Sequence, residues 1–102
     1  MKLNVQTPNF SPKSELLSYI DKRFVKLQQF HDKIVATDVF MKVQKTASKE
    51  NKLVELLVRI PKKDIVIKKA AKSFEEAVYE CMQSAERQLK KMKQKERAIL
   101  LQ

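Results

Sequence analysis

The chain has 102 residues, a formal net charge of +10, no glycine, one histidine and one cysteine. That length suits a single domain burying about two thirds of its unfolded surface, which needs neither metal nor disulfide to fold. The composition excludes a glycine-rich phosphate loop, an internal disulfide and the His/Cys ligand sets of ordinary zinc sites.

Lys2 to Thr7 alternates Leu3 and Val5 with Asn4 and Gln6, the pattern of a half-buried strand, and Pro8 ends it. Ser11 before Pro12 reads as an N-cap with proline at the first helical position. Leu17, Ile20, Phe24 and Leu27 then mark the apolar stripe of a helix running to about Phe30. Val35, Val39, Met41 and Val43 share one parity, which predicts a strand from about Ile34 to Lys45, and the polar stretch Thr46 to Asn51 predicts a hairpin. Lys52 to Ile60 places Val54, Leu56, Val58 and Ile60 on one face. After a turn at Pro61 to Lys63, Asp64 to Ala70 carries the β-branched run Ile65, Val66, Ile67.

Ser73 stands three residues before Glu76, the capping-box spacing. Phe74, Ala77, Val78, Cys81, Met82, Ala85, Leu89 and Met92 follow at helical intervals, so a last helix runs from Ser73 to Arg97 with one core face. The predicted order is β-α-β-β-β-α in the α+β class. The first helix crosses over between two parallel strands, the remaining strands form a meander, and two helices pack on one face of a four-stranded mixed sheet, as in double-stranded-RNA-binding folds. Turns without glycine draw on Asn51, Pro61 and Asp64.

The longest uninterrupted apolar run is Ala98 to Leu101, and the N-terminus lacks the apolar stretch of a signal peptide, so a cytoplasmic protein without a membrane span is expected. Cys81 falls on the apolar stripe of the last helix and reads as a small buried hydrophobe. His31 reads as a surface histidine at a helix end, with no nucleophile placed beside it. Glu75, Glu76 and Glu80 occupy the first turns of the last helix, where acidic groups suit the helix dipole without any acid/base role. No catalytic residue, metal site, cofactor or small-molecule substrate is predicted, and the enzyme class is disfavoured.

Residues 1 to 51 carry nine basic and five acidic groups and residues 52 to 102 carry thirteen and seven, so the folded surface itself must be basic. Tyr19, Lys22, Arg23 and Lys26 fall at i, i+3, i+4 and i+7 on the first helix, one stripe beside the core. On the last helix Arg87, Lys91 and Lys95 align at steps of four, flanked by Lys90, Lys93 and Arg97. If the helices lie side by side, the stripes merge into a patch suited to phosphate backbones. The candidate RNA contacts are Lys22, Arg23, Lys26, Arg87, Lys90, Lys91, Lys93 and Lys95. The competing reading is a solvated face charged to suit the helix. Lys62, Lys63, Lys68, Lys69 and Lys72 form a second cluster, equally readable as RNA contacts or as edge-strand protection. Phe40 is the one aromatic at a strand position opposite in parity to the core, so base stacking on the sheet is disfavoured against shape or backbone recognition.

The run FSPKSELLSYIDKRFVKLQQF, three strands, and SFEEAVYECMQSAERQLKKMKQKER together resemble the ribosome hibernation factors, the short hibernation-promoting and ribosome-associated inhibitor proteins also called sigma-54 modulation proteins. The resemblance spans residues 1 to 97. Its most specific pieces are Lys26, Leu27 and Phe30 at the end of the first helix, and Glu86-Arg87-Gln88-Leu89 with the lysines after it. It implies the β-α-β-β-β-α fold and a non-enzymatic protein that occupies the messenger and transfer RNA groove of the small ribosomal subunit. The implied partners are that subunit, the 70S ribosome and 16S rRNA, bound by a monomer that silences idle ribosomes. It also implies RNA contacts at Arg23, Lys26, Arg87, Lys90 and Lys91.

Two departures stand out. Ser73, Phe74 and Glu75 replace the Asp-Met-Tyr that many members carry, and Pro61-Lys62-Lys63 replaces a glycine-bearing hairpin. With a short tail of residues 98 to 102, the resemblance points to a short form of the hibernation-promoting type. The alternatives are a general double-stranded RNA module, or a protein-interaction modulator of transcription docking through Ile99, Leu100 and Leu101.

Overall fold

The computed structural model describes residues 2–8, 10–61 and 63–100, the last four in their backbone alone. Its elements are β1 (Lys2–Gln6), α1 (Ser14–Gln28), β2 (Ala36–Val43), β3 (Lys52–Arg59), β4 (Ile65–Ala71) and α2 (Phe74–Leu100). The strands lie in the order β1-β2-β3-β4, with β1 parallel to β2 and the other pairs antiparallel, so the α+β architecture predicted from the sequence is the one adopted.

Parity makes the core. Val39 and Met41 of β2, Val54, Leu56 and Val58 of β3, and Ile65, Ile67 and Ala71 of β4 point to one face. There they meet Leu16, Ile20 and Leu27 of α1 and Ala77, Val78, Cys81, Met82, Ala85 and Leu89 of α2 in a single buried cluster. Each fully buried Val, Leu, Ile or Met side chain in it stabilises the fold by about 1.5–3 kcal/mol relative to exposure. Both helices therefore cover the same face, and the other face of the sheet is open.

Four expectations are corrected. Leu16, 4% exposed, takes the first core position of α1, and Leu17, 38% exposed, does not. Stepping back four residues from Ile20 stays on the buried stripe, whereas stepping back three lands at its edge. The N-cap of α1 is Lys13, in extended conformation and without a side-chain cap bond; its carbonyl accepts from Leu16 and Leu17 N–H at 3.1 and 3.2 Å. Ser11 and Pro12 lie outside the helix because Phe10 stacks on Phe74 at 4.4 Å between centroids, tying that segment to the start of α2. Val35 and Val43 share the parity of Val39 and Met41 but are 59% and 40% exposed, because they stand at the ends of the strand beyond the helical cover. His31 is the fourth: it is 1% exposed, and its placement is described with the site below.

The missing glycines are replaced by hydroxyl turns. In the β2–β3 hairpin Thr46 Oγ1 accepts Ser48 N–H at 3.3 Å and Ser48 Oγ accepts Glu50 N–H at 3.1 Å. Before β4, Lys63 N–H donates to Ile60 O at 3.2 Å across the turn that begins at Pro61. Half of the capping box expected at the start of α2 is present: Ser73 Oγ accepts Glu76 N–H at 3.2 Å, and among the described residues no return bond joins the Glu76 carboxylate to Ser73 N–H.

Candidate nucleic-acid interface

α2 has 27 residues, a length of about 40 Å, whereas an eight-residue strand spans about 27 Å. Among the described side chains of α2 the last fully buried one is Leu89, with Met92 packed partly against the core, so the basic stretch that follows overhangs the sheet. The molecule is accordingly elongated, 51 × 26 × 19 Å.

The overhang meets the loop after α1 at His31. Lys33 N–H donates to His31 Nδ1 at 3.1 Å, which makes Nε2 the hydrogen-bearing nitrogen of the neutral ring. Nε2 lies 3.5 Å from Glu96 Oε1, near enough for attraction but without hydrogen-bond geometry. Sequence reasoning put His31 on the surface because it follows a helix end. The last turns of α2 cover it, and no local pattern announces a contact between residues this far apart.

The two helices lie side by side, and four of the eight predicted cations, Arg23, Arg87, Lys90 and Lys93, lie along the seam between them. From α1, Tyr19 and Arg23 face α2. The Arg23 guanidinium carbon lies 5.4 Å from the Tyr19 ring centroid and 5.0 Å from that of Tyr79 on α2. The Lys90 ammonium lies 4.8 Å over Phe30, just past the end of α1. Gln29, Phe30, Lys90, Lys93 and Gln94 line one shallow depression of this region, and Gln83, Glu86, Arg87 and Lys90 line the next. Arg87 Nη2 donates to Ser84 Oγ at 3.2 Å. The sequence singles out Phe30 only through the family resemblance and gives no sign of Tyr79 or Gln83 as site residues, although Tyr79, Gln83, Glu86 and Lys90 follow the i, i+4, i+7, i+11 spacing of one flank.

Not every predicted contact joins this seam. Lys26 shares the flank of Tyr19 and Arg23 by its spacing, and Lys22 stands one step further toward solvent; both are exposed. Lys91 and Lys95 are exposed as well, and their steps of four from Arg87 carry them around α2 toward the flank away from α1. Arg97 and Ile99 to Leu101 lie outside the residues whose side chains are described, as does Lys62. Within the second lysine cluster, Lys68 pairs with Glu55 at 3.1 Å across the β3–β4 register, as expected of a paired edge strand. Among the described residues no ion pair involves any of the eight predicted RNA-contacting cations.

The open face of the sheet is arranged differently. Asp38 accepts from Asn4 Nδ2 at 2.8 Å and from Arg59 Nε at 3.1 Å, and Glu55 holds Lys68. Phe40 is half-buried there, with the Lys42 ammonium 6.0 Å from its ring centroid.

Cys81 is buried against β3, its Sγ–H donating to Val54 O at 3.5 Å. Burial pushes the thiol pKa up to about 12, so it is neutral and packs as a hydrophobe. Among the described residues no group of three or more His, Cys, Asp or Glu could hold a metal ion, and no helix is long and apolar enough to cross a membrane.

Residues 3–97 match the model of the family described as Sigma 54 modulation protein / S30EA ribosomal protein. The chain belongs to this family. It is 27% identical over 100 residues to a protein named ribosome hibernation promoting factor from Pseudomonas putida, covering 98% of this chain and 94% of that one. Its fold matches a ribosomal subunit interface protein from Coxiella burnetii at a TM-score of 0.79, with 20% identity, covering 91% of this chain and 98% of that one. The Protein Y N-terminal domain of Thermus thermophilus matches at 0.71, with 19% identity, covering 89% and 94%. The family is non-enzymatic and ribosome-associated, and this member carries its fold over nearly the whole chain.

Proposed function

We propose that this protein is a hibernation factor that occupies the messenger and transfer RNA groove of the small ribosomal subunit, its helical face against ribosomal RNA. It acts by occupancy, without chemistry, in the cytoplasm and as a monomer. The observation that carries this reading is the seam between α1 and α2. Cations from both helices meet there on aromatic supports, with no carboxylate partner among the described residues. Such a face can neutralise phosphates without first breaking internal ion pairs.

If about five phosphates are neutralised, affinity should fall with salt at a log–log slope on the order of −4. Co-sedimentation with purified small subunits across a salt series measures it. Arg87→Glu with Lys90→Glu should abolish binding and leave the circular dichroism spectrum unchanged. Undiminished binding by that variant would refute the placement of the interface, and equal affinity for free duplex RNA would mark a general duplex binder instead.

A further inference from the structure

We propose that Arg23 is a pre-aimed, two-pronged contact for a single phosphate, and that Tyr79, from the other helix, is the positioning residue that aims it. The proposal rests on the ribosomal reading above for its partner, but its geometry is a property of the free protein.

The three arginines whose side chains are described and hydrogen-bonded or stacked are held in three different ways. Arg59 spends its donors on Asp38, with Nε and Nη2 both 3.1 Å from Oδ2. Arg87 gives one donor to Ser84 Oγ. Arg23 is half-buried and lies over two rings, Tyr19 one turn earlier on α1 and Tyr79 across the seam, at 5.4 and 5.0 Å. Among the described residues it has no hydrogen bond to a side chain or carboxylate. An aromatic ring restrains a guanidinium electrostatically while leaving its N–H donors free, and five donors in a planar fork match the oxygens of a phosphate.

Tyr79 is itself fixed. Gln83 Nε2, one turn further along α2, donates to its Oη at 2.8 Å. The side chains Gln83, Tyr79, Arg23 and Tyr19 thus form a continuous row from one helix to the other. A free arginine loses rotamer freedom when it binds; here the rings impose much of that loss before binding, and preorganisation of this kind raises affinity. The choice of phosphate over a peptide carboxylate follows from the neighbours. Lys26 on the same flank of α1 and Lys90 with Lys93 along the seam give a line of positive charge fitted to a polyanion.

A double-mutant cycle tests the pairing, with purified small subunits as the probe and affinity, salt slope and melting temperature as readouts. Tyr79→Leu and Arg23→Lys should each weaken binding about tenfold, the cost of ordering one long side chain at binding. Neither should change the salt slope, because the charge count is unchanged. The double variant should be no weaker than either single variant, and Tyr79→Phe, which keeps the ring, should rescue most of the loss. Additive losses, or a loss that tracks a lowered melting temperature, would overturn the positioning role.

A second measurement needs no ribosome. The Arg23 side-chain Nε–H resonance of the free protein should be ring-shifted and slow to exchange, and should move to the random-coil position in Tyr79→Leu. A random-coil resonance in the unmodified protein overturns the clamp, whether or not the subunit binds. A clamp present in a protein that ignores small subunits would instead refute the ribosomal reading alone.

Discussion

The two faces of the sheet hold their principal arginines and lysines in different ways. On the open face Asp38 holds Arg59 and Asn4, and Glu55 holds Lys68, so those two cations are neutralised within the protein, while Lys42 lies over Phe40. On the helical face Arg23 and Lys90 rest on Tyr19, Tyr79 and Phe30, supports that restrain a cation without neutralising it. A net charge of +10 therefore says little about where a polyanion docks. What matters is which cations the fold leaves without an anion.

The largest effect expected in a test of this contrast is on the packing that creates the helical face. Leu89→Ala removes a fully buried side chain between α2 and the sheet and should cost about 2–5 kcal/mol, whereas Leu57→Ala on the open face, half-buried, should cost under about 1.5 kcal/mol by chemical denaturation. Similar costs would mean that the open face is as much a core as the helical one.

Next comes a charge-matched comparison in binding. Arg87→Gln with Lys90→Gln and Arg59→Gln with Lys68→Gln remove the same charge. The first pair should weaken small-subunit binding roughly 50-fold near 0.1 M salt and flatten the salt slope by about 2, each phosphate contact supplying close to one unit of slope. The second pair should change affinity less than about threefold, the residual effect of net charge. Equal losses would show that only total charge counts.

Ser73→Ala should cost about 1 kcal/mol, because Ser73 Oγ satisfies Glu76 N–H at the start of α2. Affinity at temperatures where the protein stays folded should not change, since the basic end of the helix lies at its other terminus.

The smallest effect at neutral pH concerns Cys81. Its thiol pKa is raised to about 12 in the folded state against 9.0 for the free group. The unfolded chain therefore loses this proton first, and the associated stability, complete below pH 9, drains away as pH rises toward 12. A melting-temperature series against pH should show a decline above pH 9 that is shallower in Cys81→Ala. At pH 8 the folded protein should resist alkylation that the denatured protein undergoes readily.

Much of this protein was legible in the sequence because its signals are short-range. Alternation in Lys52 to Ile60, the Ser73-to-Glu76 cap and the stripe from Ala77 to Leu89 each read within a few residues, and the β-α-β-β-β-α order follows from them. The errors fell where a local pattern has two solutions or where a distant element intervenes. Leu16 and Leu17 are equally apolar, and only docking on the sheet selects Leu16. Ser11-Pro12 has the composition of a helix start, yet the Phe10–Phe74 stack, between residues 64 apart in the chain, draws it away.

The candidate interface divides along the same line. Composition and spacing determined that the protein is basic and that its candidate contacting cations lie on two helices, because charge count and helical periodicity are properties of the chain itself. Only the tertiary structure decided which cations meet. The flank of α2 that turns to α1 is fixed by how Ala85 and Leu89 seat on the sheet. That rotation brings Tyr79 to Arg23 and Phe30 to Lys90, carries Lys91 and Lys95 around the helix, and folds the end of α2 over His31. A helix can be read from its own sequence, but its orientation against a neighbour is set by the shape of the core beneath both.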